Sequence, residues 1–420
     1  QLKQRTTLGP MGQQYRTFRA FKHTLGESLT HRTLSLLICS ILLSSMGCLS
    51  NDDEGFDWPD PTNFVCDMAL EELKCTDYIQ GTETPHHSII NPLNGEIWIV
   101  YLNGFVKSWD GENLNWVADL SEIVNRCHME QGLLGLDLDS DFENTKTVLV
   151  SYIEEGKCEG PNQSDLILAS LELNEYGLLD LDSLTVLKRI SQPYRNHNGG
   201  HLLNVGENKF LWGIGDGGSA HDPMLNGQNF SNPLGSIYYF SYGNNTIAPV
   251  MEDQDGDPFI LHYGVRNPWR FDLDPNGNLW IADVGQACWE EVNMVNLTVR
   301  SNLGWSNREG FHEFDQTGIC ENSDSEDLGD YVDPLLAYPH ENGNCSITGG
   351  YWMDWGPEPL RGGYLYGDFC SGSIWVIREE SGSWTEQYIG ASGGMIVGFG
   401  QSMDGNLVVF HWMGDSVVIS

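Results

Sequence analysis

The segment Arg195-Asn-His-Asn-Gly-Gly200 sets an imidazole beside paired glycines, and Gly215-Asp-Gly-Gly218 and His221-Asp222-Pro223 follow after one strand's length. Glycine lets backbone and ligand approach closely, and imidazole is the usual general base near neutral pH. A turn histidine satisfied by neighbouring backbone is the plainer use of the same residues. A second cluster runs Tyr263-Gly-Val-Arg266-Asn-Pro-Trp-Arg270, with Asp283-Val-Gly-Gln286-Ala-Cys-Trp-Glu290-Glu291 behind it. Two guanidiniums in one loop can polarise a carbonyl or clamp a carboxylate. They can equally pair with nearby acids such as Asp283 or Glu290. The third cluster, Glu130-Gln-Gly-Leu-Leu-Gly135, puts a carboxylate ahead of a glycine-flanked apolar turn, where it can face a cleft or simply close a loop.

These clusters lie far apart in the chain, so the fold must bring them together. One phrase recurs between them: a Gly or Asn turn followed by a run of apolar and aromatic residues. It appears at 94–100, 144–150, 207–213, 276–282, 362–367 and 404–410. From Gly95 to Gly405 there are five intervals, averaging 62 residues. The turn residues relieve positive-φ strain, and the runs are strand formers. A period of this length suits one four-stranded blade plus a loop. The fold class expected is all-β, a six-bladed β-propeller over 64–420. A pair of sandwiches would not demand a turn-strand phrase at this period. In a propeller, loops from every blade meet at one end of a central channel, which suits residues placed between the repeats.

Composition narrows the setting. Residues 1–33 carry six Lys and Arg against Glu27 alone, and the apolar run from Leu34 leads through Ser44, Ser45 and Gly47 to Cys48. That order makes 1–47 an export signal or leader, too short in its apolar part for a spanning helix. Ser45-Met-Gly-Cys48 resembles a lipobox, so Cys48 is a candidate for lipidation, and a lipid anchor would be the protein's only hold on a membrane. Residues 48–63 read as an acidic tether. Beyond the leader, 15 Lys and Arg face 58 Asp and Glu, out of 21 and 59 in the whole chain. So acidic a surface repels nucleic acid and anionic membranes.

Ten cysteines include Cys39 and Cys48; the other eight are an even number in an exported chain and favour disulfides. The pairs expected are Cys66–Cys75, Cys127–Cys158, Cys288–Cys320 and Cys345–Cys370, the first two because they are neighbours in sequence. Asp253-Gln-Asp-Gly-Asp257 has the look of a calcium loop but lacks a closing Glu. Asn162, Asn229, Asn244, Asn296 and Asn344 open N-x-Ser/Thr triplets.

Taken in order, the three clusters resemble the glucose/sorbosone dehydrogenase family, the soluble aldose dehydrogenases that use pyrroloquinoline quinone (PQQ). So do Asn302-Leu-Gly-Trp305, Ser346-Ile-Thr-Gly-Gly350 and Tyr364-Leu-Tyr-Gly-Asp-Phe-Cys-Ser-Gly372, the last two closest to its hedgehog-interacting-protein-like branch. The resemblance covers about 85–415 and implies a cofactor, PQQ with Ca²⁺, a sugar substrate and an external electron acceptor. It makes His197 the base that takes the sugar's C1 hydroxyl proton and Arg266 the group that polarises the quinone, with Asn267 beside it. Glu130 would face the quinone or sugar, backbone carbonyls of Gly285 and Gln286 would hold the Ca²⁺, and Asp216 would orient the site.

The match breaks where the family supplies cations for the PQQ carboxylates. Asp354 stands at one such position, Ser236-Ile-Tyr-Tyr239 replaces a basic phrase, and the late arginines have no counterpart in 388–403. Arg361 or Arg308 are the available substitutes. Two functions follow: a PQQ/Ca²⁺ sugar dehydrogenase, or a cofactor-less propeller that binds glycan or protein at the same channel face. Intact His197, Arg266 and Glu130 favour the first; Asp354 favours the second.

Overall fold

The computed structural model describes residues 64–420, apart from 82, 252–254, 315–319, 321–328 and 413. The leader, Cys48, the tether and part of the Asp253–Asp257 loop lie outside the described residues. Each of the six turn-strand phrases becomes the second strand of one sheet: Ile97–Tyr101, Thr147–Ile153, Lys209–Ile214, Asn278–Asp283, Tyr364–Asp368 and Leu407–His411. Six sheets arranged as blades make a β-propeller.

The second strands are apolar along almost their whole length because both of their faces are covered. Alternate side chains go to opposite neighbours. Trp98 and Val100 pack toward the second blade, while Ile97 and Ile99 pack toward the sixth. Six apolar clusters result, one for each seam between blades, and the last joins Ile97 and Tyr101 to Val397 and Phe410 to shut the ring.

Closure uses a strand from the other end of the propeller. Cys75–Asp77 pairs with Val417–Ile419 as the outer strand of the sixth blade, and Cys66–Met68 adds a fifth strand to the fifth blade. The Cys66–Cys75 disulfide ties these two strands together. All four expected pairs form.

The first strands, Pro85–Ile90, Leu133–Leu138, Gly199–Asn204, Pro268–Leu273, Ile347–Thr348 and Ile396–Gln401, stand around the axis. Because each blade is an antiparallel meander, the links before the first strands and the turns after the second strands share one rim. That rim collects Glu130, His197, Asp216, Arg266 and Asp283. Three disulfides, Cys127–Cys158, Cys288–Cys320 and Cys345–Cys370, staple its loops.

One segment departs from the repeat. Between the third and fourth strands of the fourth blade, Ser301–Asn302 crosses to pair in parallel with His262–Tyr263 of the third. The chain then brings Trp305 and Glu309 to the site rim. Regular helix among the described residues is limited to Phe142–Thr145 and a 3₁₀ turn at Glu358–Leu360, and none is long and apolar enough to cross a membrane.

Candidate active site

His197 sits in the link into the third blade in a left-handed conformation, φ 52°, which a residue with a Cβ holds only when its surroundings force it. Gly215 is what makes the fit possible. A Cβ there would lie 1.9 Å from the His197 carbonyl oxygen. The imidazole is buried, and its Nδ1 lies 2.7 Å from Oδ1 of the fully buried Asp216. A carboxylate on Nδ1 fixes the proton there, so Nε2 keeps its lone pair.

Asp216 is shared. Its Oδ2 accepts from the Trp305 indole at 2.9 Å, and its Oδ1 also accepts from Gly218 N–H at 2.9 Å. The Trp305 ring in turn lies beneath the Arg266 guanidinium, 5.5 Å from Cζ to centroid. A second carboxylate makes the matching link on the other side. Glu130 Oε2 accepts from His197 N–H at 2.6 Å and from Asn267 Nδ2 at 3.2 Å. The base candidate and the arginine loop are thus bolted together twice, once through Asp216 and Trp305 and once through Glu130 and Asn267.

Arg266 and Asn267 owe their backbone position to Asp283, whose carboxylate accepts both of their N–H groups at 2.8 and 2.7 Å. Burial lifts the Asp283 carboxyl to about 7 against the pull of those two donors. The Arg266 side chain gives one bond, from Nη1 to the Val284 carbonyl at 3.1 Å. Its Nε is buried without a partner among the described residues, and no carboxylate there is ion-paired with it. Arg270 diverges from its neighbour: it points down the channel and donates to the His86 ring. Neither arginine is spent on Asp283 or Glu290.

Gly285 and Gln286 form a turn held from behind. Glu309 Oε1 accepts from the N–H groups of Gln286, Ala287 and Cys288 at 2.5, 2.8 and 3.2 Å, and Glu290 Oε2 accepts from Gly285 at 3.2 Å. Among the described residues no hydrogen bond reaches the carbonyl oxygens of Gly285 and Gln286. Only glycine fits at 285, where a Cβ would meet the Trp289 carbonyl oxygen at 1.8 Å. The Gln286 side chain bonds His221, Nε2 to Nδ1 at 3.0 Å.

Residues 84–408 match the family model of glucose/sorbosone dehydrogenases. The chain is a member of that family. Among curated relatives of this glucose/sorbosone dehydrogenase family chain, the HIPL2 protein of Arabidopsis thaliana is 28% identical over 274 residues, 58% of this chain and 37% of the relative. Quinoprotein glucose dehydrogenase B of Acinetobacter calcoaceticus is 23% identical over 258 residues, 56% of this chain and 52% of the relative. The chain therefore spans between about a third and a half of these relatives' length. A crystal structure of a glucose dehydrogenase shares the fold, with a TM-score of 0.68 at 19% identity, covering 82% of this chain and 99% of that one.

Glu130, His197, Asp216, Arg266, Asn267, Gly285 and Gln286 all fall on the site rim, whereas Arg270, Asp354 and Arg361 do not. The first strands run from Arg266 toward Asp272, so these two mark opposite ends of the channel. Asp354 is exposed beside Asp272, whose carboxylate accepts from Trp352 N–H at 2.9 Å. The repulsion expected of Asp354 therefore does not arise at His197 and Arg266. Arg308 pairs with Asp333 at 2.7 Å, and Arg361 bonds the Gly356 carbonyl at 2.7 Å. Sequence reasoning missed the parts played by Trp305 and Glu309. Trp305 lies in a quoted motif, but nothing in a linear reading says that its segment leaves its own blade. The one cluster of metal-ligand type among the described residues, Cys345, Asp368 and Cys370, is closed by its own disulfide.

Proposed function

We propose that the protein is an exported PQQ- and Ca²⁺-dependent dehydrogenase that oxidises the C1 hydroxyl of aldose sugars and passes the electrons to an external acceptor. One observation carries the reading: an imidazole with Nδ1 committed to Asp216 and Nε2 unencumbered, locked on one frame with a guanidinium that lacks a carboxylate partner. Family membership and a relative named as a quinoprotein glucose dehydrogenase agree with it. The four disulfides suit an oxidising compartment outside the cytoplasm.

The residues fit such a cofactor at its quinone end. The orphaned Nε of Arg266 is a buried donor in need of an oxygen, and the uncommitted carbonyls of Gly285 and Gln286 are the hard ligands calcium prefers. Bound there, PQQ would supply the acceptor for the hydride that the sugar loses. The chain's own work is positional and protonic. His197 Nε2 takes the hydroxyl proton, Asp216 steadies the resulting imidazolium through Nδ1, and Trp305 holds both Asp216 and the Arg266 plane. Glu130 and Asn267 keep the two loops in register.

The test is reconstitution. Purified protein loaded with PQQ and Ca²⁺ is expected to reduce a dye with aldoses, and His197→Ala is expected to lose about 10²–10⁴ in rate while still taking up PQQ. Absence of PQQ uptake by the wild type at micromolar cofactor would remove the reading.

A further inference from the structure

Half-way down the channel a small cavity of about 10 Å³ opens beside Arg270. One water molecule or one monatomic ion needs that much room, roughly 10–15 Å³. Four blades supply its walls. His201 comes from the first strand of the third, Arg270 from that of the fourth and Phe399 from that of the sixth, while Gly349, Gly350 and Tyr351 follow that of the fifth.

Arg270 is the anomaly in this wall. It is 4% exposed, and burial pulls its guanidinium down to about 10, which still leaves it charged at neutral pH. Nη1 donates to the Trp269 carbonyl at 2.6 Å, and Nη2 donates to the His86 ring and, at 3.3 Å, to the His86 carbonyl. All of these acceptors are neutral, because burial and the Arg270 charge hold the His86 imidazole far below its ordinary range. Among the described residues no carboxylate is ion-paired with Arg270. Asp137 and Asp272, further along the channel, give their oxygens to the N–H groups of Leu138, Asn204, Leu273 and Trp352. Burial also pushes both toward the protonated form. A buried charge with no counter-charge is very costly.

The rest of the lining asks for a ligand too. Nε of Arg270 is buried without a partner among the described residues, and so is Nδ1 of His201, a ring that is likewise 4% exposed. The Tyr351 hydroxyl reaches His87 Nδ1 and the Phe399 carbonyl only at 3.4 Å each, beyond the usual range of an O–H donor. Its proton can turn to a nearer acceptor.

A water molecule would satisfy these three groups but leave the charge as it stands. An anion answers both needs. It accepts from Arg270 Nε and from the Tyr351 hydroxyl. Its charge also lets His201, whose Nε2 already donates to the Phe271 carbonyl at 3.1 Å, take a second proton and donate from Nδ1. The volume excludes phosphate, sulfate and carboxylates, so the anion is monatomic.

We infer that the cavity is a chloride site, an axial counter-ion that joins the inner strands of several blades and lets a guanidinium stand buried at the centre of the ring. This inference does not depend on the dehydrogenase reading. Replacing sodium gluconate by sodium chloride at equal ionic strength keeps surface screening constant, and gluconate is too large for the cavity. The melting temperature of the purified protein is expected to rise by about 2–4 °C on that exchange and to saturate with chloride. Crystals soaked in bromide are expected to show an anomalous peak between Arg270 and Tyr351. Arg270→Met is expected to lose the difference between the two salts, and Tyr351→Phe to need about tenfold more chloride for half the effect. Should Arg270→Met fail to fold, Tyr351→Phe and the bromide peak decide. Absence of bromide from the cavity, equal melting in the two salts, or a full chloride response in Arg270→Met would leave water as the occupant and overturn the inference.

Discussion

Two regions of the channel are crowded with buried titratable groups, and they differ in which atoms they leave uncommitted. Half-way down lie His86, His87, His201 and Arg270, with Asp137 and Asp272 below them. Burial, reinforced by the Arg270 charge, drives the three imidazoles far below their ordinary range, His87 to about 3. Burial likewise lifts Asp137 to about 6 and Asp272 to about 7. At the rim, Asp216 and Glu130 are each met by two or more donors, as Asp137 and Asp272 are in mid-channel, and burial lifts Asp283 behind Arg266 to about 7. What sets the rim apart is the atoms it leaves uncommitted among the described residues, here His197 Nε2 and Nη2 of Arg266.

Breaking this contrast should give effects of very different size. The largest falls on the rim: Asp216→Asn is expected to cost on the order of 10³–10⁴ in turnover, since an amide cannot hold the same imidazole tautomer, with little change in melting temperature. Dye-linked kinetics and a thermal melt, run together, check both halves. Gly215→Ala comes next. Its Cβ has no room beside the His197 carbonyl, so the link must move, and a loss of about 2–4 kcal/mol in stability is expected from chemical denaturation together with loss of activity.

In mid-channel the balance reverses. Arg270→Met removes the donor to the His86 ring and to the Trp269 carbonyl, and should lower stability by roughly 1–3 kcal/mol while leaving turnover near wild type. A turnover loss comparable to that of Asp216→Asn would put Arg270 in the catalytic machinery and erase the distinction drawn here.

The last contrast is in pH dependence, where turnover is not the readout. Asp272 has its folded pKa raised, so the native state holds a proton that the unfolded chain releases near pH 4. Its contribution to stability is full below that point and is lost as pH climbs toward 7. Denaturation midpoints for Asp272→Asn, measured from pH 4 to 8, should decline less over this window than those of the wild type.

Much of this was legible in the residues themselves. The turn-strand phrase marks the second strand of every blade because that strand is covered on both faces and must be apolar throughout. The spacing of six such strands is enough to predict the ring. Glu130, His197 and Arg266 lie in links before first strands, so the repeat itself predicts that they meet. Trp305 and Glu309 could not be found this way, because the Ser301–Asn302 crossover is a tertiary event without a local signature. Asp354 was misread for a related reason: without the direction of the first strand, a residue a few places past Gly350 looks close to the site when it stands at the other mouth of the channel.

The borrowed outer strand of the sixth blade has a consequence for biogenesis. Ile79 donates to the Ser416 hydroxyl across 337 residues, and the adjoining strand has no partner until that distant segment emerges from the ribosome. Through most of translation the incomplete ring must carry raw sheet edges, which are sticky. An unfolded passage across a membrane, with oxidative clasping of Cys66 to Cys75 afterwards, would postpone the whole assembly until both ends are present at once.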